Sequence, residues 1–186
     1  SSSADQVVKV TNIYDGNGIL TGAEGVGASE SKDSFNNPTH SGQFTGDKAS
    51  NAVVLETGIV QKFELFAGQV KLVSSQNTGK TNYVDNSSNG QDITVAYVYN
   101  NDGVLQSARG TGTSTAFDGK KGYTAGAIDQ SYKIVNGQAL IEDSKTKSWT
   151  SNNQYQGSFD SPRTNIDGSW SRQDVNTHYT YNNLGE

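Results

Sequence analysis

Along residues 7–13, hydrophobic and polar side chains alternate with period two, as they do in a half-buried β-strand. Val8 and Val10 fall on one face, and Lys9 and Thr11 fall on the other. The Asp-Gly-Asn-Gly stretch at 15–18 is rich in residues that tolerate positive φ angles, so it predicts a turn. Residues 19–31 then form the return strand of a hairpin.

A second hairpin is predicted around residue 67. Phe63 and Leu65 alternate with charged residues, and an apolar arm returns after a turn at 67–68. The same element occurs again at 132–141. There the turn is Asn136-Gly137, which is a strong signal for a two-residue hairpin turn.

The chain therefore repeats itself. Residues 6–20 align without gaps on residues 91–105, at an offset of 85, and a third copy at 173–186 follows the second at an offset of 82. Residues 63–72 match 132–141 at an offset of 69, and extra residues near 34–50 and 151–165 reconcile the three offsets. We predict repeat unit one at 1–90 and repeat unit two at 91–172. Residues 173–186 are predicted as the first strand of a third copy, truncated or donated to a neighbour.

These patterns predict an all-β fold. We expect tandem hairpin repeats of about 82–85 residues that form stacked or sandwiched antiparallel sheets in an elongated molecule. A unit has few large apolar residues, and burying each contributes only about 1.5–3 kcal/mol, so a unit needs its neighbours for stability. Gly22, Gly25 and Gly27 in the return strand indicate a bulge, a bend or a close backbone approach.

The turns carry a family resemblance. The stretches Y-D-G-N-G-I-L-T-G, Y-N-N-D-G-V-L-Q-S and Y-N-N-L-G-E begin at Tyr14, Tyr99 and Tyr181. They resemble the Tyr-Asp-x-x-Gly-x-Leu-x core of YD repeats, the motif of RHS-type and related giant tandem-repeat bacterial surface proteins. The resemblance implies an extracellular structure built from β-repeats.

Composition narrows the classes of function. Hydrophobic residues make up 32% of the chain, and nine Tyr, six Phe and two Trp indicate a folded chain with a thin core. The absence of cysteine excludes disulfides and thiolate metal sites and fits an exported bacterial protein. We predict a location outside the cell or on the cell surface, of a bacterium.

Charge and hydropathy limit the partners. The 14 Lys and Arg residues are scattered in a chain of net charge −5, so no nucleic acid partner is predicted. No stretch approaches the roughly 20 apolar residues that cross a bilayer, so we predict no membrane insertion.

No catalytic residues are predicted. His40 and His178 are the only histidines, and neither lies in a pattern that resembles a Ser/His/Asp triad. The glycine-rich residues 22–27 lack the lysine and the following helix of a phosphate-binding loop. We therefore predict that the chain is not an enzyme and has no cofactor.

One stretch is a candidate for calcium. Asp85, Ser87 and Asn89 have the phase of the first ligands of an EF-hand-type loop. Position 12 of that loop falls on Ala96 instead of a bidentate carboxylate. A solvated turn is the interpretation we favour.

Aromatic residues near the second insertion have two interpretations. Trp149, Tyr155 and Trp170 lie among Asn, Gln and Asp, as in a glycan-binding surface. Such residues also form small β cores and subunit interfaces. Core or interface is the interpretation we favour, with glycan contact as the alternative.

The third copy suggests how copies assemble. Its alternate residues, which we predict to be an interface, are Gln173, Val175, Thr177, Tyr179 and Tyr181. A strand without its hairpin partner is a template for another chain, and repeated head-to-tail contacts build a filament. The partners would be copies of the chain, or adjacent repeats if it is a slice of a longer array.

The sequence thus predicts a structural surface-fibre, filament or matrix protein whose subunits join head to tail. The alternative is a glycan-binding adhesion module, which would add surface glycans to the partners. A phage tail-fibre segment is the second alternative.

Overall fold

The computed structural model describes residues 2–46 and 52–182. All regular structure in these ranges is β-strand, which confirms the predicted all-β class. The strands are β1 (Ser3–Tyr14), β2 (Leu20–Lys32), β3 (Pro38–Thr45), β4 (Val53–Thr57), β5 (Ile59–Phe66), β6 (Gln69–Asn82), β7 (Ser88–Tyr99), β8 (Leu105–Phe117), β9 (Tyr123–Val135), β10 (Gln138–Ser151) and β11 (Arg172–His178).

The strands form one antiparallel sheet. Neighbours follow the order β11-β10-β9-β8-β7-β6-β5-β2, and β1 pairs with β2 along its whole length. Because β5 takes the other edge of β2, β1 is the outermost strand at that end. The predicted hairpins therefore lie side by side within a single sheet.

Strand bounds repeat along the chain. The bounds of β7 and β8 reproduce those of β1 and β2 at the offset read from the sequence, and the β9–β10 turn reproduces the β5–β6 turn in the same way. Irregularities repeat as well. The register shifts between Ile13 and Tyr14 and again at the equivalent step between Val98 and Tyr99. Bulges in β6 and β10 leave the equivalent residues Val73 and Glu142 as the extra ones.

A row of side chains crosses the sheet with the period of the repeat. Strand register aligns nine positions from β1 to β11. They are Val8, Gly27, Ile59, Asn77, Ile93, Gly112, Ile128, Thr146 and Val175. The row reads branched aliphatic, glycine, isoleucine and polar residue, and then begins again. We call it the glycine row.

Glycines in this region allow neighbouring chains to approach closely. A Cβ on Gly27 would lie 2.9 Å from Cγ2 of Val8, and a Cβ on Gly112 would lie 2.9 Å from Cγ1 of Ile93. Each would also meet a backbone carbonyl of the preceding strand. Two of the three roles predicted for the β2 glycines are found: close backbone approach at Gly27, and a bulge beside Gly22 that leaves Thr21 as the extra residue.

The core consists mainly of small residues. Among the described residues, the buried hydrophobic side chains are Ala23, Ala28, Ile59, Ala108, Ala125 and Ile128. Away from the first insertion, a side chain is covered only by its lateral neighbours, so small residues and isoleucines beside glycines are the ones that become buried. The thin core expected from composition has this physical cause.

The first insertion forms a branch of the sheet. β3 pairs with β2 and, at Thr39 and His40, with β6, and its second half then pairs with β4. The equivalent of β9 in unit one is interrupted at Gly58, between β4 and β5. Gly42 and Gly58 meet there backbone against backbone, so that a Cβ on either would collide with the other strand.

Candidate functional site

The outer strand β11 docks as the repeat prescribes. Its pairing with β10 runs from Asp143↔His178 to Trp149↔Arg172. The equivalent pairs, Ser74↔Ala96 and Lys80↔Gly90, join β6 to β7. The third copy thus occupies on β10 the place that β7 occupies on β6.

Backbone and side-chain contacts extend this docking beyond β11. The Tyr179 amide donates to the Glu142 carbonyl at 2.8 Å, and the Tyr181 hydroxyl donates to the Ile141 carbonyl at 2.7 Å. Asp174 lies 3.6 Å from the ammonium of Lys145. The two tyrosines therefore anchor the segment on its β10 side.

The predicted interface strand is exposed except at Tyr181, which is half-buried. Every residue of β11 is exposed, including Gln173, Val175 and Thr177. Within the described residues, β11 pairs only with β10, and β1 pairs only with β2. β1 and β11 therefore leave free edges at opposite ends of the main run of strands, and both are copies of the same repeat strand. In the described ranges β4, at the end of the branch, likewise pairs only with β3. Residues 183–186 of the third copy lie outside the described residues.

Trp149 and Trp170, which were predicted as glycan contacts, lie at one corner of the sheet. Trp149 is half-buried opposite Arg172, and its indole Nε1 is buried without a hydrogen-bond partner. Trp170 is 54% exposed, and the Arg172 guanidinium lies 5.8 Å from its ring centre.

A cation links these aromatics to the second insertion. The Arg172 guanidinium lies 5.0 Å from the Phe159 ring centre and donates to the Phe159 carbonyl at 3.2 Å. The Lys147 ammonium lies 4.7 Å from the same ring. Cation–π contacts at exposed sites contribute about 0.5–1 kcal/mol each, so this corner ties the insertion to β10 and β11. Arg172 was not among the predicted site residues.

Tyr155 belongs to a different cluster. Its ring packs edge-on against Tyr123 at 5.8 Å, and Tyr123 stacks on Phe117 at 4.7 Å. These three residues cover the ends of β8 and β9. Tyr155 has a φ of 55°, and Asn86, its equivalent in unit one, has a φ of 65°. The Tyr155 amide donates to the Asn152 carbonyl as the Asn86 amide does to the Tyr83 carbonyl, so this turn recurs in unit two before the rest of the insertion.

The calcium candidate is a hydrogen-bonded turn in the structure. Asp85 Oδ1 accepts from the Ser87 amide at 3.0 Å and from the Ser87 hydroxyl at 2.6 Å, while the Asn89 side-chain amide donates to the Tyr83 hydroxyl at 3.1 Å. The Ser87 hydroxyl is the main reason why the pKa of Asp85 lies below its usual value. The same arrangement recurs at Asp167 and Ser169.

Two tyrosines in the interior of the sheet have raised pKa values. Burial is the main cause that raises the pKa of Tyr97 and of Tyr132. The Tyr132 hydroxyl donates to Gln130 Oε1 at 3.1 Å, so it is already satisfied within its own strand.

Over residues 2–46 and 52–182, no group of three His, Cys, Asp or Glu side chains is placed to hold a metal ion. The same ranges contain no helix long and apolar enough to span a bilayer. No protein-family model, no curated protein and no solved structure matches the chain.

Proposed function

We propose that the chain is a structural β-repeat protein of an extracellular filament, surface fibre or matrix, and that its copies join head to tail through the edges of the sheet. The observation that carries the proposal is the docking of β11 on β10 in the register of β7 on β6. A sheet that adds a third copy by the same rule as the second has a geometry suited to continued addition.

The free edges supply the contact surfaces. Unpaired strand edges present rows of amide and carbonyl groups that bind another strand. Copies of the chain are the proposed partners, and adjacent repeats take that role if the sequence is part of a longer array. No catalytic role is proposed.

Electron microscopy of the purified protein tests this function. Filaments that lengthen with protein concentration are expected, and light scattering after size exclusion should show a growing average mass. A monodisperse monomer at high concentration would contradict the proposal.

A charge on the edge supplies the matched variant. Thr177→Lys puts a lysine on the exposed edge strand β11, where it should reduce filament formation strongly. Thr113→Lys changes the same residue type at an exposed position of β8, inside the sheet, and should leave assembly unchanged.

The corner at Trp170 favours glycan binding as the second candidate function. The exposed Trp170 ring beside the Arg172 guanidinium offers an apolar platform and a hydrogen-bond donor. Binding on a glycan array should be lost in Trp170→Ala and kept in Phe35→Ala, a control at an aromatic that is 80% exposed elsewhere. Equal binding by both variants would exclude this corner.

A further inference from the structure

The same repeat strand occurs in three settings, as β1, β7 and β11. β7 lies between β6 and β8, and both of its edges are paired. β1 has the equivalent of the β8 neighbour, which is β2, and β11 has the equivalent of the β6 neighbour, which is β10. β1 therefore has one of the two neighbours that β7 has, and β11 has the other.

Burial follows the number of neighbours. Most of β7 from Asp92 to Tyr99 is half-buried, whereas β1 is half-buried only at Val7 and Val8. β11 is exposed throughout. Tyr99 packs on Phe66 at 5.3 Å, but Tyr14, its equivalent in β1, is 57% exposed. A second neighbour would bury what the outer strands leave in water.

The glycine row indicates which neighbour β11 lacks. The side chain of Ile93 in β7 lies against Gly112 of β8, and the side chain of Val8 in β1 lies against Gly27 of β2. Val175 is the residue of β11 at this level, and the row ends there within the described residues. The next residue in the period is a glycine that leaves room for a branched side chain.

We propose that β11 of one copy takes the place of β1 on β2 of the next copy, antiparallel and in the register of β1, while β1 of that copy is displaced. This inference rests on the proposed function and names the contact that would join the subunits. Val175 then faces Gly27, and His178 faces Glu24, as Val8 and Thr11 do within one chain. β11 gains the second neighbour that β7 has.

Exchange preserves the repeat, and direct edge contact does not. If β1 stayed in place and β11 bound its free edge, two strands of the same type would lie side by side, which occurs nowhere within the described sheet. Exchange replaces one strand pair by an equivalent pair, so protein concentration drives it, as in domain swapping. We therefore expect slow, concentration-dependent assembly.

Engineered cysteines test the register, since the native chain has none. In Glu24→Cys/His178→Cys, the two thiols of one chain lie seven strand positions apart, about 34 Å at about 4.8 Å per strand. Any disulfide between these positions must join two chains. Oxidation of assembled protein should give a ladder of covalent multimers on a non-reducing gel.

The matched control reports direct edge contact. In Thr11→Cys/His178→Cys, a disulfide would form if β11 lay against β1 of the next copy. We expect at least tenfold less cross-linking than for the first pair. Preferential cross-linking through position 11 would overturn strand exchange.

A second variant acts on the displaced strand. Thr11 and Glu24 face each other across β1 and β2, so Thr11→Cys/Glu24→Cys should lock β1 in place after oxidation. The locked chain should remain monomeric, and a reducing agent should restore assembly. Filaments of the locked chain at the wild-type rate would refute exchange.

The outcomes separate the two proposals. Wild-type filaments without the cross-link between positions 24 and 178 would refute exchange and leave the structural function standing. A cross-linked ladder without visible filaments would support exchange and count against the filament. Monomers with neither would overturn both.

Discussion

The two repeat units differ most where unit two has the continuous strand β9 and unit one has the broken pair β4 and β5. β9 continues through Ala127, whereas the equivalent Gly58 lies between the end of β4 and the start of β5. Gly58 still donates to the Gly27 carbonyl and accepts from the Thr78 amide, so its hydrogen bonds with the sheet remain. A strand pair can therefore branch off this sheet while the repeat continues, provided that a glycine lies at the crossing point, as Gly58 does against Gly42 of β3.

Substitution of Gly58 at that crossing should give the largest change in the free energy of unfolding. Gly58→Ala should lower the free energy of unfolding by roughly 3 kcal/mol or more, because its Cβ would collide with the backbone of Ser41 and Gly42. Urea denaturation followed by circular dichroism measures the change.

Two control substitutions accompany it. Gly16→Ala places its Cβ in open space and should shift the unfolding free energy by less than about 0.5 kcal/mol. Ala127→Gly in unit two should cost only about 1 kcal/mol, from backbone entropy. A Gly58→Ala protein as stable as these controls would show that the crossing tolerates a side chain.

A second test compares equivalent glycines at the edge and in the interior of the sheet. Gly112→Ala should cost about 2–3 kcal/mol, because its Cβ would meet Asp92 and Ile93 of β7, which β6 holds in place. In Gly27→Ala the new Cβ would meet the equivalent residues Val7 and Val8 of β1. Because β1 is an edge strand that can shift outward, this substitution should cost only about 1–2 kcal/mol. Equal losses in urea denaturation would mean that β1 is held as firmly as β7.

The two-residue turns give a smaller, reciprocal test. Ala67 and Asn136 are equivalent and both have positive φ, 47° and 51°, which asparagine tolerates better than alanine. Ala67→Asn should stabilise the protein by about 0.5–1 kcal/mol, and Asn136→Ala should destabilise it by a similar amount. Thermal unfolding of both variants checks the sign. Shifts in the same direction would contradict the equivalence.

Acid titration gives the smallest effect. Three backbone amides, that of Lys120 foremost, hold the pKa of Asp118 below its usual value, and hydrogen bonds from Asn37 do so for the equivalent Asp33. Because the folded-state pKa is depressed, each carboxylate stabilises the fold above the unfolded pKa of about 3.9. That stability is lost as the pH falls through the folded value.

Asparagine separates the turn from its charge. Asn100 caps its turn as the equivalent Asp15 does in unit one, with Oδ1 accepting two amides in each. Asp118→Asn should therefore fold normally at pH 7 and flatten the stability profile below about pH 4. Carbon-13 shifts of the carboxyl groups would follow the titration directly. An unchanged dependence of stability on acid pH in Asp118→Asn would show that the Asp118 carboxylate does not contribute to it.

Local signals predicted most of the strands and turns. The alternation at residues 7–13 and the return strand expected at 19–31 located β1 and β2, although β1 begins earlier, at Ser3. The turn at Asn136-Gly137 lies where it was predicted. The insertion at 34–50 gave no comparable signal, and β3 and β4 were missed. Their pairing depends on the crossing at Gly42 and Gly58, which belong to different strands and share no local pattern in the sequence.

The candidate site divides in the same way. Repetition of the motif identified the third strand and its residues Val175 and Thr177. The contact between Arg172 and Phe159 was missed because it joins a loop to a strand without any periodic pattern. Tyr155 was grouped with Trp149 and Trp170 by proximity in sequence, but the turn that follows β10 places it beside Tyr123 instead.

Sequence by itself determined the all-β class, the hairpins and the repeat, because strand alternation and positive-φ turns are properties of a few adjacent residues. Tertiary structure decided that the hairpins join in one sheet and that Gly27 of β2 lies against Val8. It also left β1 and β11 with one neighbour each, at opposite ends of the main run of strands. These outcomes depend on which strand lies beside which, and side chains distant in sequence meet only after the sheet has formed.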